Sequence, residues 1–226
     1  MIKLINVNKA YKNKIKVLDN VNLNISAGEF VSIVGQSGTG KTTLVKILIG
    51  EELVSSGQVF IGDWNITKIG KSEVPYLRRQ IGVIFQDFKL LPKKTLKENV
   101  AFALEVCGKD KVKTDKIVNS VMKIVGLQNK MDRYPSEVSG GEQQRTAIAR
   151  ALVHQPKILL ADEPTGNLDA INANDVIDLL LKINNFGTTI ILVTHNREIV
   201  NSLKRRVVRM DDGRIVSDQE HGKYII

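Results

Sequence analysis

The octet Gly35-Gln36-Ser37-Gly38-Thr39-Gly40-Lys41-Thr42 has the residue types and spacing of a phosphate cradle, G-x-x-x-x-G-K-[ST], with Thr43 directly behind it. Its glycines let the backbone curl so that successive N–H groups face phosphate oxygens, an approach that a Cβ would obstruct. Lys41 places a compact positive charge between β- and γ-phosphates, and the Thr42 hydroxyl is a hard oxygen ligand for Mg²⁺. A helix starting here adds the partial positive charge of its N-terminus.

Three further polar groups follow short apolar runs. Gln86 comes after residues 81–85, Asp162 and Glu163 after 158–161, and His195 after 189–194. In an open α/β sheet, the C-terminal ends of parallel strands are where ligands bind. Asp162 would reach Mg²⁺ through water, while Glu163, pointing the other way by strand alternation, would polarise an attacking water. A lone histidine is more often structural, but His195 shares its strand-end setting with Gln86 and Asp162, which favours function. Ser139-Gly140-Gly141-Glu142 opens a helix and reads either as a second anion site or as a plain capped start. Tyr11, in a polar stretch, is either a face for stacking a base or a hairpin-edge aromatic.

These residues need a scaffold. Residues 30–34 read as a strand and 44–49 as a buried helix, so the octet sits between strand and helix as its pattern requires. Residues 2–34 alternate like strands, with a turn at Ala27-Gly28, and 58–61 form another strand. Trp64 is placed as packing at a loop edge. From 95 to 155 the periodicity turns helical, clearest at 99–106 and 117–125, with Gly126 as a stop. Gly166-Asn167-Leu168-Asp169 turns the chain into a helix over 170–185, and 205–218 close as a hairpin. Phe88, Leu90, Leu91 and Pro92 are an apolar group in a loop, either subdomain core or a docking surface.

Bulk composition narrows the class. The 226 residues include 42% hydrophobic and 25% charged types, a balance that argues against disorder. No apolar run approaches the ~18 residues that would span a bilayer. The start reads as a strand and lacks a signal peptide's apolar core, and the single Cys107 cannot pair internally, so a cytoplasmic setting is expected. The net charge of +9 suits an anionic partner. Its densest patches, Lys109 to Lys116 and Lys204 to Arg206, lack interleaved aromatics, so they are read as solvated faces or a membrane-proximal patch, with no nucleic acid expected.

Taken in order, the phosphate loop, Gln86, Ser139-Gly140-Gly141-Glu142-Gln143, Asp162-Glu163, Asp169 and His195 resemble the nucleotide-binding subunit of ABC-type ATPases, over essentially the whole chain. The resemblance implies a RecA-like P-loop NTPase core with an antiparallel β subdomain (1–85 with 156–226) and an inserted α-helical subdomain (87–155). It implies ATP and Mg²⁺ as cofactors. Tyr11 would stack on adenine, and Gly35, Ser37, Gly38, Thr39, Gly40, Lys41, Thr42 and Thr43 would hold the phosphates. Thr42, Gln86 and Asp162 would serve the metal, with Glu163 as general base and His195 on the γ-phosphate. Ser139, Gly140, Gly141 and Glu142 would cap the ATP of a second copy, with Asp169 in the adjoining loop, so that a homodimer forms on ATP binding. The usual leucine and glutamine flanking Ser-Gly-Gly are Val138 and Glu142 here.

Within the family, 164–169 resembles the branch that holds the cell-division, lipoprotein-release and macrolide-export ATPases, and 86–92, 98–106 and the C-terminal 206–216 are most similar to the cell-division ATPases. That likeness implies peripheral attachment at the cytoplasmic face of the membrane and an integral membrane partner, with Phe88, Leu90 and Leu91 receiving the partner's cytoplasmic helix. A cassette acting on DNA or ribosomes is a third reading. Such proteins usually carry paired cassettes, long coiled coils or cysteine zinc sites, and this chain has none.

Overall fold

The computed structural model describes residues 1–11 and 15–224. The chain opens with β1 (Ile2–Ala10), β2 (Lys16–Ile25) and β3 (Phe30–Val34), then α1 (Lys41–Leu48), β4 (Ser56–Ile61) and β5 (Trp64–Asn65). Next come α2 (Val74–Gln80) and β6 (Ile81–Ile84), followed by α3 (Leu96–Val106), α4 (Lys111–Ile124) and α5 (Gly140–Leu152). The remainder is β7 (Ile158–Asp162), α6 (Ala170–Asn185), β8 (Thr189–Thr194), α7 (Arg197–Leu203), β9 (Arg206–Asp211) and β10 (Arg214–Gln219).

Two sheets form. One is antiparallel, ordered β2-β1-β4-β5, and the other runs β10-β9-β3-β8-β7-β6. In the second sheet β9, β3, β8, β7 and β6 are parallel, and β10 joins antiparallel at the edge. Strands buried on both faces read as unbroken apolar runs, and β3 and β8 are buried at every position. Alternation then serves two cores. Ile158 and Leu160 of β7 join Ile33, α1 and the antiparallel sheet, while Leu159 and Ala161 join α3, α4, α5 and α6.

The helices of 96–152 share this second core with the parallel sheet: Leu104, Met122 and Ile148 are fully buried in one cluster with Ile84 and Leu159. Helix α3 begins at Thr95 through a reciprocal capping box with Glu98, and α4 begins at Asp110, whose carboxylate accepts from Val112 and Lys113 N–H. Gly126 adopts φ 72° just beyond α4, as its position as a stop requires. Trp64 lies in the short strand β5 and packs, half-buried, on the first core. Among the described residues no helix is long and apolar enough to cross a membrane.

Candidate active site

The phosphate loop leaves β3 and enters α1 as its flanks predict. Gly40 takes φ 97°, and a Cβ there would lie 2.6 Å from the Val17 carbonyl oxygen, so only glycine fits between the loop and β2. No side chain caps α1 and its first turn carries no acid, so its N-terminal N–H groups are left for a ligand. Lys41 is 8% exposed, and its ammonium donates to the carbonyls of Gly35 and Gln36, each at 2.7 Å. Burial pulls its pKa below the ordinary lysine value, while Glu163 and Asp162 pull it back.

A cleft of about 550 Å³ opens over this loop. It is lined by Tyr11, Ser37, Gly38, Gly40, Lys41, Thr42 and Thr43, together with Gln86, Asp162, Glu163 and His195. Residues scattered from position 11 to position 195 thus converge, and Val17, unremarkable in the sequence, lies among them. Gly35 and Thr39 stand behind the lining, where the Thr39 hydroxyl donates to the Gln36 carbonyl at 2.9 Å.

Strand alternation sends Asp162 and Glu163 to opposite sides, yet both face the cleft. Glu163 takes φ 48°, a left-handed turn that swings its side chain back beside Asp162. Its N–H still donates to the Val193 carbonyl at 2.8 Å, so the chain stays tied to β8 through the turn. The Glu163 carboxylate accepts from the Thr194 hydroxyl at 3.1 Å and lies 2.6 Å from His195 Nδ1. Burial first, and the Glu163 charge second, push the Asp162 carboxyl above its ordinary range, against the pull of Lys41 and Lys89. Two carboxylates crowded into a half-buried cleft beside the Thr42 hydroxyl and Gln86 suit a hard divalent cation. Among the described residues no cluster of three or more His, Cys, Asp or Glu forms a metal cage. A cation here would draw its other ligands from phosphate and water, as Mg²⁺ commonly does.

The Ser139 segment lies outside this cleft. Ser139 caps α5 and its hydroxyl oxygen accepts from Glu142 N–H at 3.3 Å, while the Glu142 carboxylate accepts from Ser139 N–H at 3.0 Å. Glu142 also pairs with Lys130 at 2.5 Å, and that partner, more than any other influence, holds its pKa below the ordinary range. Asp169 caps α6, accepting from Asn172 N–H at 2.9 Å and from the Asn172 side chain at 2.6 Å. The Asn172 amide packs on Gly141, where a Cβ would lie 2.0 Å from its Oδ1.

A short loop joins the two regions. Asn167 exchanges hydrogen bonds with Gln86, at 3.4 Å to its side chain and 3.2 Å to its carbonyl. Gly140 lies against Leu168 and Phe88. Phe88, Leu90 and Leu91 are half-buried, and the Leu91 backbone is held at both N–H and carbonyl by the buried side chain of Asn99. The open apolar surface lies beside them, in a groove of about 630 Å³ lined by Val74, Phe85, Phe102, Val106, Arg150 and His154 among others. Arg150 donates to the carbonyls of Lys89 and Phe88 at 2.7 and 2.9 Å.

The ABC transporter family profile matches residues 18–166. A cell division ATP-binding protein FtsE of Bacillus subtilis is 48% identical over 99% of this chain and 98% of its own length. The protein of that name from Mycobacterium tuberculosis is 48% identical over the same shares. Among solved structures, the dimeric post-hydrolysis state of the ATP-binding cassette MJ0796 bound to ADP and Pi superposes with a TM-score of 0.88 at 36% identity, covering 99% of this chain and 100% of that one. The chain belongs to the ABC transporter family of ATP-hydrolysing cassettes, in the group of the cell division ATP-binding proteins.

Proposed function

We propose that the chain binds ATP with Mg²⁺ in the cleft and hydrolyses it as one half of a head-to-tail pair. Lys41 and the loop N–H groups hold the phosphates, and Tyr11 offers its face to adenine. Thr42, Gln86 and Asp162 would hold Mg²⁺, which neutralises phosphate charge. Glu163 draws a proton from the attacking water, with His195 held against it and toward the γ-phosphate. The observation that carries this reading is the division of the motifs. The cradle, Asp162, Glu163 and His195 share one cleft, whereas Ser139 to Glu142 sit elsewhere on the same chain, available to a second copy. A related cassette that is dimeric in the presence of ADP and Pi is consistent with that pairing. Hydrolysis removes the phosphate that bridges the two copies, so the pair reopens.

The names of the 48%-identical relatives favour a division role. The chain would then work at the cytoplasmic face of the membrane with an integral partner of the FtsX type, closing and opening to control peptidoglycan hydrolysis. The core and β subdomain (1–85 with 156–226) would carry nucleotide, and the helical subdomain (87–155) would carry the cap and the contact with the membrane partner. The apolar groove between α2, α3 and α5 would seat that partner's cytoplasmic helix, next to the loop of Phe88, Leu90 and Leu91.

Gel filtration of Glu163→Gln with ATP tests the pairing. A stable dimer is expected, and a wild-type chain that turns over at full speed while strictly monomeric overturns it. Purifying the complex from membranes and identifying its second subunit tests the division role, and an exporter with a large periplasmic domain would replace it. Phe102→Glu or Val106→Glu should abolish partner capture while sparing intrinsic hydrolysis, with Leu90→Glu or Leu91→Glu acting in the same direction. Undiminished capture in all four variants removes the groove from the proposal.

A further inference from the structure

Helix N-termini attract anions, but the N-terminus of α5 already carries one of its own. Glu142 stands where a neutral glutamine is usual, and its carboxylate is folded back onto Ser139 N–H at 3.0 Å. An approaching phosphate would meet that charge within a few ångströms, and like charges this close forfeit affinity steeply. The charge is answered from another segment. Lys130 ends a short helical turn (Gln128–Lys130) that follows the fully buried Leu127, and its ammonium lies 2.5 Å from the free oxygen of Glu142. The neighbouring ion pairs are self-contained, Arg133 with Glu137 at 3.6 Å and Arg145 with Asp175 at 3.8 Å. Among the described residues, Lys130 is the cation in ion-pair contact with Glu142.

We propose that Lys130 is a positioning residue of the half-site on α5: it neutralises and holds Glu142, so that this helix end accepts the terminal phosphate of the nucleotide bound by a second copy. The inference rests on the two-copy reading above. It assigns separate tasks to the two oxygens of one carboxylate. One ties down Ser139 N–H and keeps the cap rigid, and the other is taken by Lys130 so that its charge does not repel the ligand. The Ser139 hydroxyl oxygen accepts from Glu142 N–H, which leaves its O–H free to donate to phosphate.

A brace that merely fastens the turn to α5 would contain the same ion pair, so the test must separate charge from bracing. In the Glu163→Gln background, the ATP-dependent monomer–dimer constant is measured by sedimentation for Lys130→Met, Lys130→Arg, Glu142→Gln and the Lys130→Met/Glu142→Gln pair. Lys130→Met should weaken dimerisation roughly 10-fold or more, and Lys130→Arg should restore it. Glu142→Gln breaks the same ion pair but removes the repelling charge, so it should dimerise at least as well as the parent, and the double variant should return to within about threefold of the parent. ADP binding by the monomer, which involves only the cleft, should stay unchanged in Lys130→Met. If Glu142→Gln weakens dimerisation as much as Lys130→Met does, the pair is a brace and the proposal is overturned. Dimerisation at parental strength in Lys130→Met overturns it too. A Glu163→Gln parent that forms no dimer with ATP sinks the two-copy reading instead.

Discussion

Two helices of this chain begin at glycine-rich turns, and they treat their first N–H groups in opposite ways. Helix α1 starts at Gly40 with no side-chain cap and no acid in its first turn. Helix α5 starts at Ser139 with a reciprocal capping box and Glu142 three residues in. The first end keeps its donors unmet and faces a cleft. The second meets part of its donors itself, Glu142 N–H through the Ser139 hydroxyl and Ser139 N–H through the Glu142 carboxylate, and lies outside that cleft. Unmet donors cost stability and gain a ligand, whereas a capped end is stable alone and must have its ligand brought to it. On the two-copy reading, the difference separates a complete cradle from half of a shared one.

The largest expected effect attacks the uncapped end. Lys41→Ala should abolish nucleotide binding or turnover, measured by titration with a fluorescent ATP analogue, and full activity would dissolve the distinction. Next comes Glu163→Gln, which keeps shape and removes the base; hydrolysis should fall at least ~100-fold. An unchanged rate would discard the base assignment.

On the capped side, Gly141→Ala drives a methyl into the Asn172 amide, which Asp169 holds, and should cost about 1–3 kcal/mol in thermal unfolding. Nucleotide binding by the monomer should survive that change, whereas loss of both would mean that the two ends are not independent. Ser139→Ala removes the cap acceptor and should lower stability by ~1 kcal/mol, or roughly 2–4 °C. The smallest effect has the opposite sign. The Asp162 carboxyl is raised above its ordinary value, so its ionised form disfavours the folded chain above that raised pKa, and the penalty fades as pH falls through it. Asp162→Asn should therefore raise the ligand-free melting temperature by about 1–2 °C at neutral pH, with the gain shrinking in acid, while hydrolysis is lost.

What could be read from sequence was local in its cause. The octet, the apolar runs before Gln86, Asp162 and His195, and the helix from 170 to 185 each announce themselves within a few residues, and the strands other than the two-residue β5 stand where their patterns put them. The left-handed turn at Glu163 could not be read this way, because glutamate has no special preference for positive φ and the groups that hold it, among them the Val193 carbonyl and the Thr194 hydroxyl, come from a distant strand. Helix α2 carries little periodic signal because it is short and buries Leu77 alone. The first turns of α4 are lysine-rich and read as a solvated stretch, although Asp110 in front of them is a recognisable cap. Lys130, twelve positions before Glu142, gives no periodic signal. The groove is assembled from α2, β6, α3 and α5, and no single segment reveals it.

Helix α5 holds Ser139 at one tip and Arg150 in its final turn, and Arg150 grips the loop after Gln86 from the wall of the groove. Eleven residues of α-helix make a strut of about 16 Å that bends little over such a span. If a partner helix seats in the groove as proposed, pressing on it would tilt the far tip as a crank tilts its handle. On that proposal, mechanical load would cross the molecule along one continuous helix.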